Sequence, residues 1–93
     1  MFKSDKNRFY MENDANQLIA EITFRHANPS ILIIDHTFVD ESLRGQGVGR
    51  QLVAQVVELA RKENKKIIPL CPYAKKEFIH NESYHDVWQN KQS

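Results

Sequence analysis

The most informative run in this sequence is Leu43-Arg44-Gly45-Gln46-Gly47-Val48-Gly49-Arg50. Three glycines alternate with larger residues, an apolar run from Ile31 to Val39 precedes them, and an amphipathic pattern follows at once. Glycine lets the backbone turn and approach a ligand closely. The first N–H groups of a helix have no acceptor within the helix and bind anions well. The run therefore predicts a strand, a glycine loop and a helix that hold the pyrophosphate of a nucleotide-bearing cofactor.

Composition and charge indicate one ordinary globular domain over residues 1–93, with ends expected to fray at residues 1–7 and 90–93. The chain is 41% hydrophobic and 27% charged, and its formal net charge is +1. A nucleic-acid binder usually carries a marked basic excess, so we expect no nucleic-acid partner. No apolar run approaches the roughly 20 residues that cross a bilayer, and the N-terminus lacks the apolar core of a signal peptide. We therefore expect no membrane association.

The single cysteine, Cys71, excludes an internal disulfide and favours a cytoplasmic protein. The histidines have no spacing typical of metal ligands, so we expect no metal. No exposed apolar stripe requires a dimer, and we expect a monomer.

The first part of the chain has the two-residue period of strands. We predict strands over residues 8–13, 17–26 and 31–39, separated by turn-forming residues, and expect them to form an antiparallel meander. From Val48 the period becomes helical, which predicts a helix over residues 47–63. A short strand over residues 67–71, a helix over residues 72–80 and a last short helix over residues 84–90 follow.

These elements predict an α/β (α+β) fold with a compact mixed sheet of about four strands, one long helix and one or two short C-terminal helices. Residues 31–71 form a βαβ unit, so the third and fourth strands run parallel through a right-handed crossover. Both carboxyl ends then meet at one edge of the sheet, where ligands of open α/β sheets bind. The glycine loop and Cys71 are therefore expected at the same edge.

Two common nucleotide loops fit the glycine run poorly. A Walker loop needs a lysine after its last glycine, and Arg50 stands there instead. A Rossmann fingerprint needs a third glycine where Arg50 lies and an acidic residue about 20 positions later, where Leu70 and Cys71 lie.

The run Arg44-x-x-Gly47-x-Gly49, placed after a strand that ends in Phe38-Val39, resembles the Gln/Arg-x-x-Gly-x-Gly/Ala signature of the GNAT superfamily of acyl-CoA N-acyltransferases. The resemblance spans residues 31–80. It implies a single acyl-CoA-binding domain, acetyl-CoA or CoA as cosubstrate, and transfer of an acetyl group to an unidentified amine. It also implies that the backbone of Phe38 and Val39 pairs with the pantetheine amides.

The chain departs from that superfamily in its opening segment, where strands replace the usual helices. This favours an alternative function, a non-catalytic CoA-binding module or sensor. The run Cys71-Pro72-Tyr73 resembles the short YjdJ-type subfamily, in which a cysteine ends the last strand.

The candidate site residues fall into two groups. We expect the loop to bind the cofactor, with charge from Arg44 and Arg50, and Tyr73 to contact it; the cofactor-binding set is Phe38, Val39, Arg44, Gly45, Gln46, Gly47, Val48, Gly49, Arg50 and Tyr73. The catalytic candidates are Cys71, whose thiolate a helix N-terminus would stabilise, and His36, which would accept a proton. The alternatives are a buried structural cysteine and a hydrogen-bonded sheet histidine. For Arg50 the alternative is a solvated surface residue, and for Tyr73 it is a packing role without cofactor contact.

Overall fold

A computed structural model describes residues 2–89 and contains one five-stranded mixed sheet. The strands are β1 (Lys3–Asp5), β2 (Arg8–Glu12), β3 (Leu18–Asn28), β4 (Ile31–Val39) and β5 (Lys66–Pro69), in that spatial order. The helices are α1 (Val48–Glu63) and α2 (Pro72–His80), and two 3-10 helices cover Glu41–Leu43 and Glu82–Val87. The first four strands run antiparallel and β5 pairs parallel with β4. The predicted fold class and βαβ unit are confirmed.

Strand β1 lies inside the segment that was expected to fray, so the prediction of about four strands was one short. All three of its residues are exposed, which is why no hydrophobic period revealed it. Polar contacts hold it to its neighbour: Lys3 Nζ lies 2.9 Å from Glu12 Oε1, and Arg8 Nε donates to Asp5 Oδ2 at 2.7 Å. The fraying predicted for residues 90–93 falls outside the described residues.

Helix α1 covers one face of the sheet with a stripe of fully buried side chains at helical spacing: Leu52, Val53, Val56, Val57 and Ala60. It contacts β2 through β5, and α2 contacts β4 and β5 on the same side. Both helices share one buried cluster with the inward residues of the sheet. The described residues therefore form two layers, and the second sheet face stays uncovered.

Two boundaries differ from the prediction at the end of the chain. Strand β5 stops at Pro69, so Cys71 follows the strand and begins α2 as its N-cap residue. The last short helix is a 3-10 helix over Glu82–Val87. It is tied to α1 because Arg61 donates to both oxygens of Asp86, at 3.0 and 3.1 Å. None of the described helices is long and apolar enough to cross a membrane.

Candidate functional site

The glycine loop adopts a backbone that larger residues rarely accept. Gly45 and Gly47 have φ of +82° and +72°, and a Cβ built on either would meet no protein atom within 4 Å. Steric strain would cost an L-residue about 1–2 kcal/mol in this conformation. The open space on both glycines leaves their backbone accessible to a ligand.

Gly47 is also the N-cap of α1, and it provides no side-chain oxygen to the first N–H groups. The first turn of α1 contains no acidic residue. A 16-residue helix carries a partial positive charge at this end. The loop therefore presents uncapped donors with no competing carboxylate, which is the condition for binding an anion.

A cavity of about 390 Å³ opens beside this loop. It joins the loop to the end of β4 and to the start of α2. The lining residues are Thr37, Val39, Leu43, Arg44, Gly45, Gly47, Val48, Gly49 and Tyr73. Seven of these nine were candidate cofactor-binding residues. Thr37 and Leu43 were not.

A bulge in β4 decides which side chains reach the cavity. Thr23 pairs with His36 and Phe24 with Ile34, so Asp35 is an extra residue that shifts the alternation by one. Beyond the bulge Thr37 lies opposite the fully buried Ile22 and shares its face. His36, opposite Thr23, is exposed on the uncovered face of the sheet. The structure therefore does not bring His36 to the cavity lining.

Strands β4 and β5 separate beyond the bulge. Their pairing ends at Ile34 and Pro69, and the N–H groups of Leu70 and Cys71 both donate to Ile34 O, at 3.1 and 3.2 Å. Strand β4 continues to Val39 while the chain after β5 turns into α2. The result is a split in the sheet next to the cavity.

Backbone alternation shows which residues of β4 face this split. The Asp40 N–H donates to Ile19 O at 2.8 Å, so Asp40 turns its backbone groups toward β3. Backbone direction alternates along a strand, and Phe38 therefore also faces β3. Thr37 and Val39 face the split. Of the two residues predicted to pair with an extended ligand, Val39 faces the split, as Thr37 does, whereas Phe38 faces β3.

Cys71 lies behind Thr37 and is 7% exposed. Its Sγ donates to Thr37 Oγ1 across 3.4 Å. Burial acts to raise the pKa of the thiol, but the Thr37 hydroxyl and the backbone N–H groups of Ala74 and Tyr73 outweigh it, so the pKa lies below its ordinary value. Cys71 does not itself line the cavity.

Tyr73 leans over the first turn of α1. A Cβ at Gly49 would lie 2.8 Å from the Tyr73 hydroxyl, so this glycine makes room for the ring. Burial raises the pKa of Tyr73, and Glu77 adds to the effect. Its phenol is therefore a neutral donor at the cavity wall.

The two loop arginines are placed differently. Arg44 is exposed and lines the cavity. Arg50 Nε lies 3.9 Å from Glu77 Oε1, and Arg50 lines a second depression of about 260 Å³ together with Glu77, His80 and Asn81. Neither Arg50 nor Gln46 is part of the main cavity lining. Residues 2–89 contain no group of three His, Cys, Asp or Glu side chains arranged to hold a metal.

This chain has the GNAT fold. Its mixed sheet splits between two parallel strands, and a glycine loop lies at the N-terminus of the crossover helix. The family model for GCN5-related N-acetyltransferases matches residues 8–87. The chain belongs to this family.

Solved structures agree with this assignment. A GCN5-like protein from Staphylococcus aureus, determined by NMR in solution, is 42% identical over 99% of this chain and 90% of its own, with a TM-score of 0.83. YhbS from Escherichia coli, a GNAT family N-acetyltransferase in complex with CoA, is 22% identical over 84% of this chain, with a TM-score of 0.63. A GNAT family acetyltransferase from Elizabethkingia anophelis with acetyl-CoA bound is 21% identical over 67% of this chain, with a TM-score of 0.56.

The last two show the fold alone. This chain spans 47% of the YhbS chain and 40% of the Elizabethkingia chain. Among curated proteins, none matches it.

Proposed function

We propose that this chain is an acetyl-CoA-dependent N-acetyltransferase and forms a single acyl-CoA-binding domain. The observation that carries the proposal is the continuity of the 390 Å³ cavity with both the uncapped N-terminus of α1 and the split between β4 and β5. One end offers donors for a pyrophosphate, and the other offers an unpaired strand edge for a chain of amides. The two features together match a nucleotide joined to an extended amide arm.

The residues present fit such a cosubstrate. The N–H groups at Gly47 and in the first turn of α1 would bind the pyrophosphate, with charge from Arg44. The backbone of Thr37 and Val39 would pair with the amides in the manner of an added strand. When bound, acetyl-CoA supplies an activated acetyl thioester. The cradle for it is provided by the backbone and by small residues, so little reorganisation is needed.

The two catalytic candidates flank the split from opposite sides. Cys71 lies on the helix-covered side behind Thr37, and His36 is exposed on the uncovered face. An amine that approaches from the uncovered face would meet His36, whose imidazole could act as a general base. Most of the rate gain would come from holding the amine and the thioester together. Cys71 would lie behind Thr37, next to the acetyl end of the site.

The Cys71-Pro72 run at the start of α2 supports a narrower family assignment. We infer that the chain is a short YjdJ-type member of the family, with the cysteine placed just after the last strand rather than within it.

A second candidate function is a CoA-binding module without turnover. It is favoured by the uncovered sheet face and by the absence of a helix among residues 2–39, where only strands are found. No described element then encloses an acceptor on that face. This candidate predicts the same cosubstrate binding and no acetyl transfer.

Release of free CoA thiol separates the two functions. The full chain is incubated with acetyl-CoA and a panel of small amines, peptide N-termini and lysine peptides. Release that requires one amine class supports the transferase, and a His36→Gln variant should then release CoA more slowly if His36 is the general base. Binding without release from any amine contradicts the transferase and supports the module. Intact mass shows separately whether an acetyl adduct forms that Cys71→Ser abolishes.

A further inference from the structure

Thr37 touches both the cavity and the buried thiol. Its side chain lines the cavity, and its Oγ1 lies 3.4 Å from Cys71 Sγ. Cys71 is only 7% exposed and has no place in the cavity lining. Thr37 is therefore the residue of β4 that contacts both the cavity and the sulfur.

The bulge at Asp35 is what creates this contact. Without an extra residue, the alternation that buries Leu32 and Ile34 would continue to His36 on the same face. The bulge brings Thr37 to that face instead. A small hydroxyl side chain, not an imidazole, thus contacts Cys71, the N-cap residue of α2.

The electrostatic surroundings of Cys71 give the hydroxyl a specific role. After burial, which disfavours the thiolate, the largest influence on the Cys71 pKa is the hydrogen bond with Thr37, and it lowers the pKa. Backbone N–H groups supply the rest of the lowering. The titratable side chains on the neighbouring elements are engaged elsewhere: Asp35 with Arg25, Glu77 toward Arg50, Tyr73 over Gly49, and His36 on the uncovered face.

We propose that Thr37 is a positioning residue for Cys71, with a hydroxyl that fixes the sulfur behind the cavity wall and donates a hydrogen bond to its thiolate. Thr37 thereby sets how much of the Cys71 side chain behind the cavity wall is thiolate. The use of this role in catalysis rests on the proposed function. The interaction between the hydroxyl and the sulfur is present in the protein without a ligand.

The test is a titration of the thiolate by its ultraviolet absorbance in the ligand-free full chain. The spectrum of Cys71→Ser is subtracted to remove tyrosine ionisation, and the single cysteine makes the remaining signal specific. Thr37→Val keeps the shape and removes the hydroxyl. Loss of a hydrogen bond to a charged group changes its pKa by about one unit, so the thiolate fraction of Thr37→Val at neutral pH should fall about tenfold. Thr37→Ser should restore the wild-type profile.

Thr23→Val is the matched control, because Thr23 is a half-buried threonine of the same sheet on its uncovered face. It should leave the titration unchanged. A Thr37→Val profile that superimposes on wild type, or an equal shift in Thr23→Val, would overturn the proposal. If circular dichroism shows that Thr37→Val is unfolded, Thr37→Ala against Thr37→Ser gives the same comparison. Because no CoA is present, failure of CoA binding would leave this result intact.

Discussion

Gly47→Val is expected to abolish most CoA binding while leaving the chain folded. The φ of +72° at Gly47 lies in the left-handed region, where a β-branched residue is a genuine outlier. A Cβ at this position meets no protein atom within 4 Å, so the effect comes from the backbone and not from a clash with the core. The strain lowers the free energy of unfolding by about 1–2 kcal/mol. Relief of that strain turns the first N–H groups of α1 away from the cavity.

The loss of binding can be estimated from the hydrogen bonds that this rotation removes. Two charge-assisted bonds to a pyrophosphate, each worth about 1.5 kcal/mol or more, amount to about 3 kcal/mol. The Kd for CoA should therefore rise about 100-fold, as measured by calorimetric titration. Asn64→Ala is the matched control, because Asn64 has φ of +57° at the other end of α1. It brings comparable strain and should leave the Kd unchanged.

A Gly47→Val protein that binds CoA with wild-type affinity would refute the assignment of the loop. A loss of affinity of the same size in Asn64→Ala would contradict a specific role for Gly47. It would show that the effect follows general destabilisation of α1.

Three further perturbations follow from the described contacts. Arg44→Gln should weaken CoA about three- to fivefold, and the difference should shrink at high salt because the side chain is exposed; equal salt dependence of the two proteins would contradict this. Leu52→Ala should lower the free energy of unfolding by about 3 kcal/mol in urea titration, since Leu52 is fully buried. A change below about 1 kcal/mol would contradict this and show that the core closes over the space left by the removed side chain. Arg61 lowers the pKa of Asp86, so this pair stabilises the protein above the ordinary carboxyl pKa and loses its effect as pH falls through the folded value. Arg61→Met should therefore lower the free energy of unfolding by under about 1 kcal/mol at neutral pH, because the pair is solvent-exposed, and by less in acid. A loss of stability that grows in acid would contradict a stabilising role for the Arg61–Asp86 pair.

The part of the fold that depends on hydrophobic period was predictable. The stripe of α1 and the alternation of β3 identify both elements, because burial on one face leaves a direct trace in the sequence. The glycine loop was predictable for a similar reason. Its two left-handed residues are both glycine, and no other residue type adopts that conformation so readily.

Strand β1 and the bulge were not predictable, since both depend on contacts between elements. Lys3-Ser4-Asp5 has no buried face and is held by ion pairs and backbone pairing to β2. The bulge at Asp35 leaves the composition of β4 unchanged but exchanges the faces of every later residue. The sequence therefore singles out His36 on β4, whereas the structure exposes His36 on the uncovered face and brings Thr37 to the thiol.

An amide resonance titration shows whether the loop and the split in the sheet bind acetyl-CoA together. Acetyl-CoA is added to labelled protein while backbone resonances are followed. We expect joint binding to cause saturable shifts at residues 44–50 together with Thr37 and Val39, and none at the turn of residues 28–30, which lies at the opposite edge of the sheet. Shifts confined to other parts of the chain, or no shift at residues 44–50 up to saturating acetyl-CoA, would contradict it.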